Sequence, residues 1–177
     1  MEYGYRSVTL DMVADRAGVT KAAVYYHFRD KAALVVASAR HVFDRARQGT
    51  AARLAGAGSL RERLTAIAEV VLALPQPFTA YDTLLHEAML ELSAEALSEM
   101  RQAQSRVTTL IEDAFTDANR RGEIATADPL LAAHCFLAML QVGQRRAVDG
   151  QLQFRDARRT AHILMDTLWA GIGRPSS

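Results

Sequence analysis

Lysine, cysteine and proline are scarce in this chain, and it has neither a long uninterrupted apolar run nor a large charge of one sign. A single cysteine, Cys135, excludes an intramolecular disulfide. The first residues lack the basic-then-apolar pattern of a secretory leader, so the expected compartment is the cytoplasm. The longest apolar stretch, Leu130 to Gly143, is interrupted by His134 and Gln141. It falls short of the roughly 20 residues a membrane span needs and reads as a buried helix. Half of the 177 residues are hydrophobic and 23% are charged, far from the composition of a disordered chain. With only four prolines, abundant alanine, leucine and arginine, and no convincing alternation of apolar and polar residues, the chain is expected to be all-α.

The net charge of +1 conceals an asymmetry. Residues 1–47 hold eight lysines and arginines against five acidic residues, and the remainder holds thirteen against fifteen. Solvated helix faces carry imbalances of that size, so placement is more telling than the sum. The only two lysines, Lys21 and Lys31, bracket one short predicted helix, whereas arginine is used everywhere else.

Start and stop signals divide the chain into helices. Thr9 caps a first helix carrying Leu10, Val13, Ala14 and Ala17 on one face, and Gly18 ends it. Thr20 caps a second through about Phe28, and Asp30 caps a long third one from Lys31 towards Gln48. Gly49 to Gly58 is rich in alanine and glycine and is expected to be a loose connection. Ser59-Leu60-Arg61-Glu62 matches a capping box, followed by the stripe Leu60, Leu64, Ile67, Val71 and Leu74 up to Pro75. Residues 78–92 read as a further helix, and Ser93 caps a long one that Gly122 stops. Asp128-Pro129 restarts the chain in a helix that is apolar nearly all round, and residues 156–172 form the last.

An apolar helix must be covered on every side, by its own chain or by another copy. Leu137 and Leu140 of the first of these two helices, with Ala161, Leu164, Met165, Leu168 and Ile172 of the second, form a candidate subunit interface packed as four helices. The alternative is that the same residues close the core of a single chain.

The segment from Thr9 to Phe28 meets the demands of a helix-turn-helix, in which two helices pack on small apolar residues so that the second can enter the DNA major groove. Ala14 permits close approach, Gly18 can take the positive φ of the turn, and Val19 and Val24 point inward. Lys21, Ala22, Ala23, Tyr25, Tyr26 and His27 remain on the outside. Lysine neutralises phosphate, tyrosine and histidine donate to phosphate or stack, and alanine offers a methyl surface to thymine.

The run Gly18-Val19-Thr20-Lys21-Ala22-Ala23-Val24-Tyr25-Tyr26-His27-Phe28-Arg29-Asp30-Lys31, preceded by Val13-Ala14-Asp15-Arg16-Ala17 and upstream by Gly4-Tyr5, closely resembles the DNA-binding signature of the TetR family of regulators. The resemblance is sharp over about the first 35 residues and rests on helix order beyond them. It implies a helix-turn-helix head over residues 1–47 and a helical ligand-binding and dimerisation body over 48–177. Thr9 and Thr20 would cap helices while touching phosphates, Lys21, Ala22, Ala23 and Tyr25 would face base edges, and Tyr26, His27 and Lys31 would hold the DNA backbone. Val13, Ala17, Val19, Val24, Phe28 and Leu34 would be core. Members of the family carry a first helix ahead of the Gly-Tyr pair, whereas this sequence begins at Met1-Glu2-Tyr3-Gly4-Tyr5. The expectation is that Val13, Phe28 and Leu34 lose packing there, at about 1.5 to 3 kcal/mol for each side chain exposed.

The resemblance further implies a homodimeric, ligand-responsive repressor of a palindromic operator, released by a small molecule that shifts the long third helix. Candidate pocket residues are Phe78, Tyr81, His86, Met89, Met100, His134, Cys135 and Met139, each of which also has a plainer reading as core or surface. A second reading of the chain is a helical small-molecule-binding or interaction module that has lost DNA binding with the missing first helix. No cofactor or metal is expected: Glu87, Glu91, Glu95 and Glu99 read as a solvated face, and Cys135 as packing. No histidine stands beside a nucleophile in a catalytic motif, and Gly56-Ala57-Gly58 does not continue into a phosphate-binding loop, so an enzyme is not expected.

Overall fold

The computed structural model describes residues 5–74, 85, 87–145, 147 and 151–172, and regular structure among them is helical without a strand. After a 3-10 turn over Tyr5–Ser7 come α1 (Leu10–Ala17), α2 (Lys21–His27), α3 (Lys31–Leu54), α4 (Leu60–Leu72), α5 (Ala94–Arg120), α6 (Pro129–Gly143) and α7 (Ala157–Ile172). The chain divides into two compact units, one comprising residues 1–46 and 75–106 and the other residues 47–74 and 107–177. The helical architecture agrees with the expected fold class.

The helix boundaries follow from local chemistry. Thr9 Oγ1 accepts the Met12 N–H at 3.2 Å, and Gly18, at φ 68°, ends α1 in the left-handed conformation that glycine adopts without a Cβ clash. The Ser59 hydroxyl and the Glu62 carboxylate satisfy each other's backbone N–H groups in a complete capping box on α4. The Asp128 side chain accepts the Leu131 N–H at 2.9 Å, with Pro129 at the first helical position. One boundary differs from expectation. The loose stretch expected from Gly49 is helical as far as Leu54, because alanine favours helix strongly enough to carry the glycine, and Arg53 donates back to the Gly49 carbonyl at 2.9 Å.

Two apolar clusters hold the first unit. The smaller consists of Leu10, Ala14 and Val24, with Phe28 and Leu34 packed against it, and it fixes α2 on α1. The other joins Tyr5, Val35, Val36 and Ala39 to Leu85, Ala88, Leu92 and Met100. Val13, Phe28 and Leu34 are half-buried, while Ala17 and Val19, expected in the core, are exposed: Ala17 ends α1 and Val19 follows the Gly18 turn at the surface.

The second unit has one larger core. Leu60, Leu64, Ile67 and Leu72 of α4 meet Ile111 and Phe115 of α5, Phe136 and Leu140 of α6, and Ala161, Met165 and Leu168 of α7. Phe115 and Phe136 lie with ring centres 6.3 Å apart in a tilted arrangement.

Candidate nucleic-acid interface

A rigid turn presents α2. The Val19 N–H reaches back to the Ala14 carbonyl at 3.1 Å, and Thr20 Oγ1 accepts the Ala23 N–H at 3.2 Å, so a backbone hydrogen bond fixes the turn and a side-chain cap fixes the start of α2. Val24 turns inward and is buried. Lys21, Ala22, Ala23, Tyr25, Tyr26 and His27 are all exposed, and Tyr26 is 86% exposed. Its ring meets that of His27 edge-on at 5.1 Å. Apart from Val24, α2 therefore presents a cation, two methyl groups and three polar rings to solvent. Thr9 is exposed beside its own cap.

Two of the expected contact residues have partners within the unit. Lys21 Nζ lies 2.6 Å from Asp11 Oδ2 in the first turn of α1, with both side chains exposed. The Lys21 hydrogen bond holds the Asp11 carboxyl below the usual carboxylate range, against a small desolvation effect and with lesser help from the Lys21 charge and the Tyr25 hydroxyl. The same bond and the Asp11 charge raise Lys21 in turn. Lys31 donates to the Tyr5 carbonyl at 2.7 Å and the Arg6 carbonyl at 3.3 Å, and its ammonium lies 4.1 Å from the centre of the Tyr5 ring. Burial first, then the charges of Glu91 and Asp30, push the Tyr5 phenol up.

Sequence reasoning gave Asp11, Glu87 and Glu91 no role of this kind. Glu87 accepts the Tyr5 N–H at 2.7 Å and Glu91 pairs with Arg6 at 2.6 Å, so both carboxylates tie down the turn ahead of α1. Their partners are more than 80 residues away in sequence, and no local pattern marks such pairs.

The expected pocket residues are dispersed. Phe78, Tyr81 and His86 lie outside the described residues. In the first unit Met89 is on the surface and Met100 is buried in the cluster around Val35. In the second unit His134 is exposed 3.1 Å from Glu112, Cys135 is exposed, and Met139 packs on the core. A cavity of about 280 Å³ in that unit is bordered by Leu54, Arg63, Leu110, Asp113 and Asp117 among others, and by none of the expected residues.

Of the expected interface residues, Leu140, Ala161, Met165 and Leu168 are buried in the unit's own core, and Leu137 and Leu164 are half-buried against it. Ile172 is the last residue of α7. Among the described residues, the large apolar side chains left exposed on these two helices are Leu130, Leu131, Val142 and Ile163. Among the described residues, no three His, Cys, Asp or Glu side chains are grouped to hold a metal ion, and no helix is long and apolar enough to cross a membrane.

Comparison with known proteins agrees with this geometry. Residues 1–38 match the family model for bacterial regulatory proteins of the tetR family, and residues 57–144 match that for the tetracyclin repressor-like C-terminal domain. No curated protein matches the chain. Among solved structures, a transcriptional regulator of the TetR/AcrR family from Thermobifida fusca is 27% identical, with a TM-score of 0.71 over 98% of this chain and 91% of that one. AibR, solved with isovaleryl coenzyme A and operator DNA, is 22% identical with a TM-score of 0.69, over 92% of this chain and 88% of its own. FadR from Bacillus subtilis, solved with stearoyl-CoA, is 14% identical with a TM-score of 0.79, over 95% and 90% of the two chains.

Proposed function

This chain belongs to the TetR family of bacterial regulatory proteins, and from that premise we propose that it is a cytoplasmic, ligand-responsive repressor that binds a palindromic operator as a homodimer. The observation that carries this reading is the outer surface of α2. Lys21, Tyr25, Tyr26 and His27 stand clear of the core beside Ala22 and Ala23, an arrangement that combines phosphate donors with small apolar contacts for base edges. In this reading residues 1–47 read DNA and residues 48–177 bind the effector and the second subunit. The packing unit that contains the head also includes residues 75–106.

A dimer of such heads reads two half-sites about 34 to 36 Å apart, and a modest displacement of either head removes the match. Helix α3 is continuous from Lys31 to Leu54 and would carry the effector's signal to the head. The chain is assigned no reaction of its own.

Fluorescence anisotropy with duplex DNA from beside the gene tests the reading. Binding should exceed that to random duplex; Tyr25→Ala should weaken it about tenfold, one good base contact being worth roughly 1 to 3 kcal/mol, and Lys21→Ala should weaken it with a shallower salt dependence, one phosphate contact being lost. Sedimentation should show both variants to be dimers like the parent. Loss of the dimer in step with DNA binding would contradict these roles, and a folded head that prefers no duplex would favour a helical binding module instead. Isovaleryl-CoA and stearoyl-CoA, the molecules bound by two relatives, are the first effector probes for thermal stabilisation.

A further inference from the structure

On the surface proposed to meet DNA, the lysine that begins α2 is engaged by a carboxylate of the same chain. Asp11 Oδ2 lies 2.6 Å from Lys21 Nζ, at salt-bridge distance, although the two residues are on different helices and ten positions apart. The Gly18 turn makes the meeting possible by bringing the first turn of α1 to the first turn of α2, and the Thr9 and Thr20 caps fix both ends. Both side chains of the ion pair are accessible, so a DNA phosphate can compete for the lysine.

We infer that Asp11 is a specificity-determining residue of the DNA-binding surface: by occupying the Lys21 ammonium, it suppresses attachment to duplexes that offer phosphate alone. This rests on the DNA-binding reading above. Non-specific binding is almost entirely phosphate neutralisation with release of counterions. A lysine already neutralised by a neighbouring carboxylate releases none until that carboxylate turns away. A duplex whose base edges dock against Ala22, Ala23 and Tyr25 holds one phosphate within reach of Lys21, so that the exchange goes to completion there. Random duplex has no such contacts, so Asp11 lowers its affinity more than that of the operator.

The test is a salt titration of the full-length protein and its variants against a random-sequence 30-base-pair duplex and against duplexes selected from a randomised pool. Asp11→Asn should bind the random duplex more tightly, with the plot of log affinity against log salt steeper by about 0.9, the increment for one phosphate, which amounts to about eightfold at 0.1 M relative to 1 M salt. Affinity for the selected duplexes should rise less, so that the ratio between them falls. Asp11→Glu, which keeps the carboxylate, should stay within about twofold of the parent on random DNA. In Lys21→Met the effect of Asp11→Asn should vanish, since there is no ammonium to release.

An unchanged salt slope in Asp11→Asn would overturn the inference, as would a gain that persists without Lys21, because the latter would mark a general charge effect. Equal gains on random and selected duplexes would also refute a role in specificity. If the parent and every variant fail to bind any duplex while circular dichroism shows them folded, it is the DNA-binding reading that falls.

Discussion

Lys31 and Lys21 are the same residue type at the two ends of one short segment, yet their surroundings give them different work. Lys31 is half-buried, donates to two carbonyls of the 3-10 turn and lies against the Tyr5 ring. Lys21 is exposed and paired with Asp11. Replacing Lys31 by Met keeps the aliphatic stem and removes the charge, leaving the Tyr5 and Arg6 carbonyls without that donor. A hydrogen bond from a charged group contributes roughly 1.5 to 3 kcal/mol and a cation–π contact about 0.5 to 1, before discounting for partial exposure. Lys31→Met should therefore lower stability by about 1 to 2 kcal/mol in urea unfolding. If Lys31 acted only on DNA, the unfolding midpoint would not move and operator affinity alone would fall. The residue types were legible in the sequence and their partners were not. Tyr5, Glu87 and Lys31 meet through the fold, whereas Thr9, Thr20, Ser59 and Asp128 cap helices through neighbours three residues away and could be read directly.

Among the helices, legibility also followed range. Caps and glycine stops located α1, α2, α4 and α6 closely, because those signals act within one turn. The end of α3 lies past the expected one, since the alanines between Gly49 and Leu54 favour helix strongly enough to carry a glycine that reads as a stop. Gly143, the last residue of α6, illustrates what only packing reveals. A Cβ added there would stand 2.5 Å from Leu72 Cδ2 and 3.2 Å from Leu164 Cδ1, so α4, α6 and α7 approach closely at a point where a side chain has no room. Leu72 is buried and has little space to retreat. Gly→Ala in mid-helix gains at most about 1 kcal/mol of propensity, less at a terminus, whereas overpacking a core costs about 1 to 3. Gly143→Ala should thus destabilise the second unit by about 1 kcal/mol, seen as a lower melting temperature. A rise would mean that Leu72 finds another rotamer at little cost.

For the whole molecule, the proposed homodimer needs an apolar surface on α6 or α7 that the chain's own core does not use. Hydrophobic periodicity marked both helices as apolar but gave no means of dividing their side chains between the chain's own core and a partner. In the structure Ala161, Met165 and Leu168 pack on α4 and α6 within the unit's own core, while Leu131, Cys135, Ala138 and Val142, at spacings of four, three and four, form an exposed stripe along α6, and Ile163 is exposed on α7. If the proposed homodimer forms on these helices, it uses that stripe, because large apolar side chains on a soluble surface are stabilised by being covered. Two substitutions to the same residue then have opposite meanings. Val142→Asp and Ile163→Asp place a charge where only a partner would bury it, and should yield folded monomers in sedimentation equilibrium, with unchanged helical circular dichroism. Leu168→Asp places the charge inside the unit's own core, where an unpaired carboxylate is strongly disfavoured, and should unfold the second unit whether or not a dimer exists. Dimers that persist in both Val142→Asp and Ile163→Asp would move the interface to another face. A Leu168→Asp protein that remained folded and became monomeric would show instead that this leucine faces the partner.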